Sequence, residues 1–131
     1  MARKSTLALV EDLSQVVTME ETALLRNTYS EVHISDEVAG FIMDIVEATR
    51  DTKDLVNGVS TRGAIALYKA AQVTAAIEGR DYVIPEDVVR EAIPVLAHRV
   101  SASSGSRQDV ENYLRRKVKE AVVPLENLET L

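Results

Sequence analysis

The chain has 131 residues, 46% of them hydrophobic, which is enough for one domain with a modest core and too little for a two-lobed enzyme. Aromatic residues make up 4%, with no Trp and no Cys, so the core must be Val, Leu, Ile and Ala, and a disulfide framework or thiolate zinc site is excluded. A net charge of −6 argues against a general nucleic-acid binder, and no apolar run approaches the roughly 20 residues needed to span a bilayer.

The charge is uneven: residues 1–60 hold 11 acids and 5 bases, whereas residues 61–131 hold 10 of each. An acidic solvated face accounts for this. The opening Met1-Ala-Arg-Lys4 lacks the apolar stretch of a signal peptide, and the lack of cysteine is compatible with a reducing cytoplasm.

Residues 1–17 carry a weak helical pattern after a loose start. Thr18-Met-Glu-Glu21 reads as a capping box, in which the Thr hydroxyl bonds the N3 amide while Glu21 reaches back. A helix is predicted from there to about Glu31, followed by a short extended link at Val32-His-Ile34. Ser35-Asp-Glu37 then starts a second helix, with acids where the dipole favours them. Its apolar positions Val38, Phe41, Ile42, Ile45 and Val46 repeat at helical spacing up to about Arg50. Residues 51–59 read as a polar loop.

A third helix is predicted from Thr61 to about Glu78, with Ser60 as N-cap. Ala64, Ile65, Leu67, Tyr68, Ala71, Ala75, Ala76 and Ile77 make it apolar nearly all round, the pattern of a central helix touched on several sides. Gly79 suits the residue just past its end. Pro85-Glu-Asp87 opens a fourth helix, which Pro94 is expected to kink or break. Ser101–Ser106 reads as a flexible Ser/Gly linker. A last helix should run from Arg107 to about Val122, stopped by Pro124 ahead of a frayed tail. The expectation is an all-α domain, a small bundle of four to five helices.

Catalytic signatures are missing. There is no GxxxxGK[ST] phosphate loop, no GxGxxG and no HExxH. His33 lies in a link and His98 near a helix end, where structural roles suffice. The acid pairs Asp36-Glu37 and Glu86-Asp87 stand at helix starts, where capping and the dipole explain them. The basic group Arg115, Arg116, Lys117 and Lys119 reads as a solvated face or as a contact to a neighbouring subunit. By its residues alone, this chain is not an enzyme.

Arg62 is the oddity. It sits in the first turn of the third helix, where the backbone is already electropositive and an acid is the usual choice. Two readings stand side by side. An Arg beside unpaired helix amides is an anion site with a forked, permanently charged donor. Alternatively, the side chain snorkels into solvent at a cost of a few tenths of a kcal/mol.

The motifs around Arg62 have a precedent. Gly58-Val-Ser-Thr-Arg62, Ala64-Ile-Ala-Leu-Tyr-Lys-Ala-Ala71, Gly79-Arg-Asp-Tyr-Val-Ile-Pro-Glu-Asp-Val88 and Val95-Leu-Ala-His-Arg99 occur in order. They follow Val32-His-Ile-Ser35 and Ile45-Val-Glu-Ala-Thr-Arg50. The series resembles the lid subdomain of MoxR-family AAA+ ATPases across residues 17–100, with Thr61 where that family usually has Pro.

The resemblance implies an AAA+ lid fold over residues 18–100. Residues 1–17 become the hinge or tail of a large subdomain, and 101–131 a linker plus C-terminal helix and tail. It implies that Arg62 is the sensor-2 residue, reaching the γ-phosphate of ATP, bound with Mg by a large α/β subdomain absent from this chain. Val59, Ser60 and Thr61 would lie near the nucleotide. The expectation is therefore a section of a longer, cytoplasmic, ring-forming ATPase that remodels partner proteins like a chaperone, among them proteins with a von Willebrand factor A domain. Neighbouring ring subunits would be partners, and nucleic acid and membrane would not. The chain alone should not hydrolyse ATP or bind it tightly. The alternative is a stand-alone helical interaction module, an adaptor or dimerisation domain without a nucleotide role.

Overall fold

The computed structural model describes residues 6–129, and side chains from 9 to 122. Within them lie six helices: α1 (Thr6–Glu11), α2 (Met19–Thr28), α3 (Asp36–Ala48), α4 (Thr61–Ile77), α5 (Pro85–Leu96) and α6 (Arg107–Glu129). The fold is all-α, as the periodicity predicts.

Local chemistry sets the helix starts. The Thr18–Glu21 capping box forms, with the Glu21 N–H donating to Thr18 Oγ1 at 3.1 Å. Helix α2 is shorter than predicted, because residues Tyr29–Glu31 tighten into a 3-10 turn. Ser35 caps α3 by accepting from the Val38 N–H at 3.2 Å, and all five predicted core positions of α3 are buried. At the end of α4, Gly79 has φ 78°, which a side chain rarely tolerates. The Gly79 N–H reaches the Ala76 carbonyl (3.0 Å) and the Arg80 N–H the Ala75 carbonyl (2.9 Å), a Schellman turn.

Helix α4 packs most extensively on α5 and also touches α3 and the 3-10 turn after α2. Leu67, Ala71 and Ala75 lie on its buried side, but Ile65, Tyr68, Val73 and Ile77 are exposed. Three elements therefore touch α4, and part of its apolar surface is left to solvent. Helix α6 closes the core from α3 and α5, adding Val110, Tyr113, Leu114 and Val118. The Tyr113 hydroxyl donates to the Ala48 carbonyl at the end of α3 (2.6 Å).

Two short backbone pairings tie the loops together. The His33 N–H bonds the Asp81 carbonyl (2.8 Å) and the Val83 N–H bonds the His33 carbonyl (2.9 Å). The buried Gln72 amide satisfies the Val32 carbonyl at 2.9 Å. The Ser101–Ser106 stretch is not a flexible linker. The Val56 N–H bonds the Ser101 carbonyl (2.8 Å), the Ser103 N–H bonds the Asp54 carbonyl (2.9 Å), and Ala102 is buried.

Pro94 does not break its helix, and the expectation that Pro124 stops α6 needs correction. Helix α5 runs through Pro94 and finishes at Leu96 before a 3-10 turn, Ala97–Arg99. Helix α6 continues past Pro124 to Glu129. An interior proline removes one hydrogen bond and costs about 3 kcal/mol locally. The bonds on either side can carry the helix past that loss.

Asp87 links the entry of α5 to the turn after α4. Its carboxylate takes both terminal nitrogens of Arg80, at 2.7 and 2.6 Å, and the Ile84 N–H at 2.9 Å. Burial alone would push this carboxyl up. The Arg80 hydrogen bonds, the Ile84 N–H and the charges of Arg80 and Arg90 outweigh it and hold the carboxyl below its ordinary value.

Candidate functional site: the start of helix α4

The amino end of α4 is built from three segments. Ser60 caps it, accepting from the Gly63 N–H at 3.2 Å, while the Ala64 N–H bonds the Ser60 carbonyl at 3.0 Å. The first turn contains no acid. Among the described residues the N–H groups of Thr61 and Arg62 meet no protein acceptor, and Arg62 makes no hydrogen bond or ion pair. Arg62 is exposed, as are Ser60 and Thr61. The turn therefore offers open amides and a free guanidinium with no carboxylate to compete, a donor set that suits phosphate oxygens.

Val59 differs from its neighbours. Its side chain is 1% exposed and sits in the core. Its N–H donates to Thr49 Oγ1 at 2.9 Å, and its carbonyl accepts from Arg50 Nε at 2.9 Å. Gly63 is held close on the other side. A Cβ there would fall 2.7 Å from Val59 Cγ1 and 3.2 Å from Arg99 Cδ. Arg99 itself donates from Nε to the Val95 carbonyl (3.0 Å).

Sequence reading singles out Arg62 and the residues before it, but not Thr49, Arg50 or Arg99 as their supports. Thr49 and Arg50 are separated from Val59 by a polar loop, and helical spacing carries no signal for such a contact.

An apolar groove of about 540 Å³ runs away from this turn between α3 and α4. Thirteen-residue α3 contributes Ile42 and Met43, α4 contributes Thr61, Ile65 and Tyr68, and Arg50 stands at the rim. The other predicted candidates lie elsewhere. His33 and His98 are exposed, and the described residues contain no group of three potential metal ligands. On α6, Arg116 pairs with Asp54 (3.7 Å), Arg115 with Glu111 (3.9 Å) and Lys117 with Glu120 (3.1 Å). No described helix is long and apolar enough to cross a membrane.

Comparison with known proteins places the chain in a family. The family model of the AAA lid domain matches residues 47–121. The uncharacterized protein YeaC of Bacillus subtilis is 40% identical over 91 residues, covering 70% of this chain and 28% of YeaC. Protein MoxR of Paracoccus denitrificans is 32% identical over 113 residues, covering 75% of this chain and 33% of that protein. Chaperone MoxR1 of Mycobacterium tuberculosis is 30% identical over 95 residues, covering 66% and 25% respectively. A crystal structure of a candidate ATPase from Cytophaga hutchinsonii superposes with a TM-score of 0.68 at 26% identity, over 88% of this chain and 43% of that one. The chain thus spans a quarter to a third of the length of these curated relatives. It belongs to the AAA lid domain family, in the form carried by MoxR-type AAA+ ATPases.

Proposed function

We propose that this chain is the lid through which a MoxR-type ATPase senses its nucleotide, with Arg62 as the sensor-2 residue. The observation that carries the reading is the first turn of α4, where an exposed, unpaired Arg stands beside open amides and no acid. In this reading a large α/β subdomain binds ATP with Mg, and Arg62 meets the γ-phosphate from the lid side. Ser60 and Thr61 lie beside the nucleotide, and the buried Val59 sets their position. Residues 1–17 belong to the hinge or the tail of the large subdomain, residues 18–100 are the lid proper, and 101–131 its C-terminal extension.

A guanidinium at the γ-phosphate stabilises negative charge as phosphoryl transfer proceeds. It also gives the lid different contacts with ATP and ADP, which is the condition for a ligand-biased swing. The whole protein is then a cytoplasmic ring whose neighbouring subunits are partners. It acts as an ATP-driven, chaperone-like remodeller of client proteins, including those with von Willebrand factor A domains.

The test is Arg62→Ala in the intact ATPase. Hydrolysis should fall by roughly a hundredfold or more, the scale of losing one charge-stabilising donor. An unchanged rate refutes the sensor assignment. The native polypeptide, detected with an antibody to this chain, should be far heavier than 14.4 kDa.

The exposed apolar groove beside α4 favours a second reading, a stand-alone interaction module. That reading requires a stable dimer or adaptor complex without nucleotide and a native mass of 14.4 kDa. A monomer at micromolar concentration excludes self-pairing.

A further inference from the structure

We propose that Thr49 and Arg50, at the end of α3, are positioning residues for Arg62. The proposal rests on the sensor reading above and names the part of the lid that holds the sensor in place.

Both polar backbone groups of Val59 are held by these two consecutive residues. Thr49 is 1% exposed. Its hydroxyl donates to the Val46 carbonyl at 2.6 Å and accepts from the Val59 N–H at 2.9 Å, so it bridges the end of α3 to residue 59. Arg50 Nε takes the Val59 carbonyl at 2.9 Å. The backbone of the preceding residue lies against Arg50 as well: a Cβ on Gly58 would fall 2.7 Å from Arg50 Cα. Thus α3 grips the chain at 58–59 by hydrogen bonds and by contact.

The grip passes directly to the first turn of α4. Ser60 follows Val59 and caps the helix through Gly63. Gly63 in turn rests on the Val59 side chain, with room for no Cβ between them. Arg62 is therefore three residues from a point fixed at N–H, C=O and side chain alike. Its guanidinium is free, but its Cα has little freedom to tilt or slide relative to α3. A charged group that must meet one phosphate oxygen gains from such fixing, because misplacement by about 1 Å can cost about a hundredfold in rate.

Thr49→Val tests this in the intact ATPase. It keeps the shape of the side chain and deletes the acceptor for the Val59 N–H. The expected result is a kcat for ATP hydrolysis lowered about tenfold with KM for ATP within about twofold of the parent. Thr49→Ser, which keeps the hydroxyl, should restore most of the rate. In the Arg62→Ala background, Thr49→Val should add nothing further, since there is no sensor left to misplace.

A normal kcat in Thr49→Val alongside a depressed kcat in Arg62→Ala overturns the positioning role and leaves the sensor reading standing. So does a Thr49→Val loss that persists in full in the Arg62→Ala background, because that is general damage to the fold. A normal rate in Arg62→Ala overturns both. Should Thr49→Val fail to fold by thermal melting, Arg50→Met removes the other bond from a solvent-facing side chain, and the same cycle with Arg62→Ala decides.

Discussion

Gly58→Ala should destabilise the chain, and the structure gives the size of the effect. A Cβ at position 58 would lie 2.6 Å from Arg50 Cγ, 2.7 Å from Arg50 Cα and 3.0 Å from Arg50 Cβ. Carbon atoms rest about 3.5–4.0 Å apart, so about 1 Å of movement is needed. Arg50 Cγ can swing aside by a rotamer change. Cα cannot, because it belongs to the backbone at the end of α3. The loop must retreat instead, stretching the two hydrogen bonds on Val59.

Overpacking of this kind costs about 1–3 kcal/mol, and weakening the Val59 bonds adds about 1 kcal/mol. A reduced entropy of the unfolded chain returns about 0.4–1 kcal/mol. The net loss is roughly 2 kcal/mol, and a chain of this length loses roughly 3–5 °C in Tm per kcal/mol. Thermal unfolding followed by far-UV circular dichroism should therefore show a drop of roughly 6–10 °C. Gly40→Ala is the matched control: it lies inside α3 with nothing within 4 Å of an added Cβ, so it should gain about 0.5–1 kcal/mol. Gly58 does not have a positive φ, so strain of the backbone cannot mimic the result. If Gly58→Ala melts with the parent, the close approach of the 58–59 loop to α3 is refuted.

Acid should weaken the fold through Asp87. Its carboxyl titrates below the ordinary 3.8 when folded, so its contribution is complete above that value and is lost as pH falls through the lower folded one. Urea midpoints measured from pH 6 downward should fall for the parent and fall less steeply for Asp87→Asn, which starts about 1 kcal/mol less stable once the partial exposure of Arg80 is allowed for. Tyr113→Phe removes the bond to the Ala48 carbonyl and should cost about 1 kcal/mol. Its effect on the urea midpoint, with no change in m, checks that α6 is docked on the end of α3 in solution.

Helix starts were legible because their chemistry is local. Thr18 with Glu21, Ser35, Ser60 and Pro85 each announce a first turn within four residues, and Gly79 announces a left-handed exit. The core face of α3 was legible for the same reason, since its spacing is a property of one helix. Arg62 stood out because it breaks a local electrostatic preference. What local chemistry could not carry was contact at a distance. The Ser/Gly composition of 101–106 suggests a free linker, yet Ser103 bonds the carbonyls of Lys53 and Asp54, some fifty residues earlier in the chain. Thr49 looks like an ordinary helix end until Val59 is seen against it. Pro124 misled by the opposite route, because one lost hydrogen bond does not end a helix.

Helix α2 buries no residue, and Met19, Leu24 and Leu25 all face solvent. A ten-residue helix held mainly by its own cap is marginal in water. Its amides should therefore exchange with deuterium by local opening, while those of Leu67, Leu96 and Leu114, at 0% exposure, wait for global unfolding. The chain then contains two foldons of very different protection, with the border near the 3-10 turn at Tyr29. Any surface that covers Leu24 and Leu25 would slow exchange in α2 and leave the core rates unchanged, so deuterium uptake at this helix reads out the covering of that face directly.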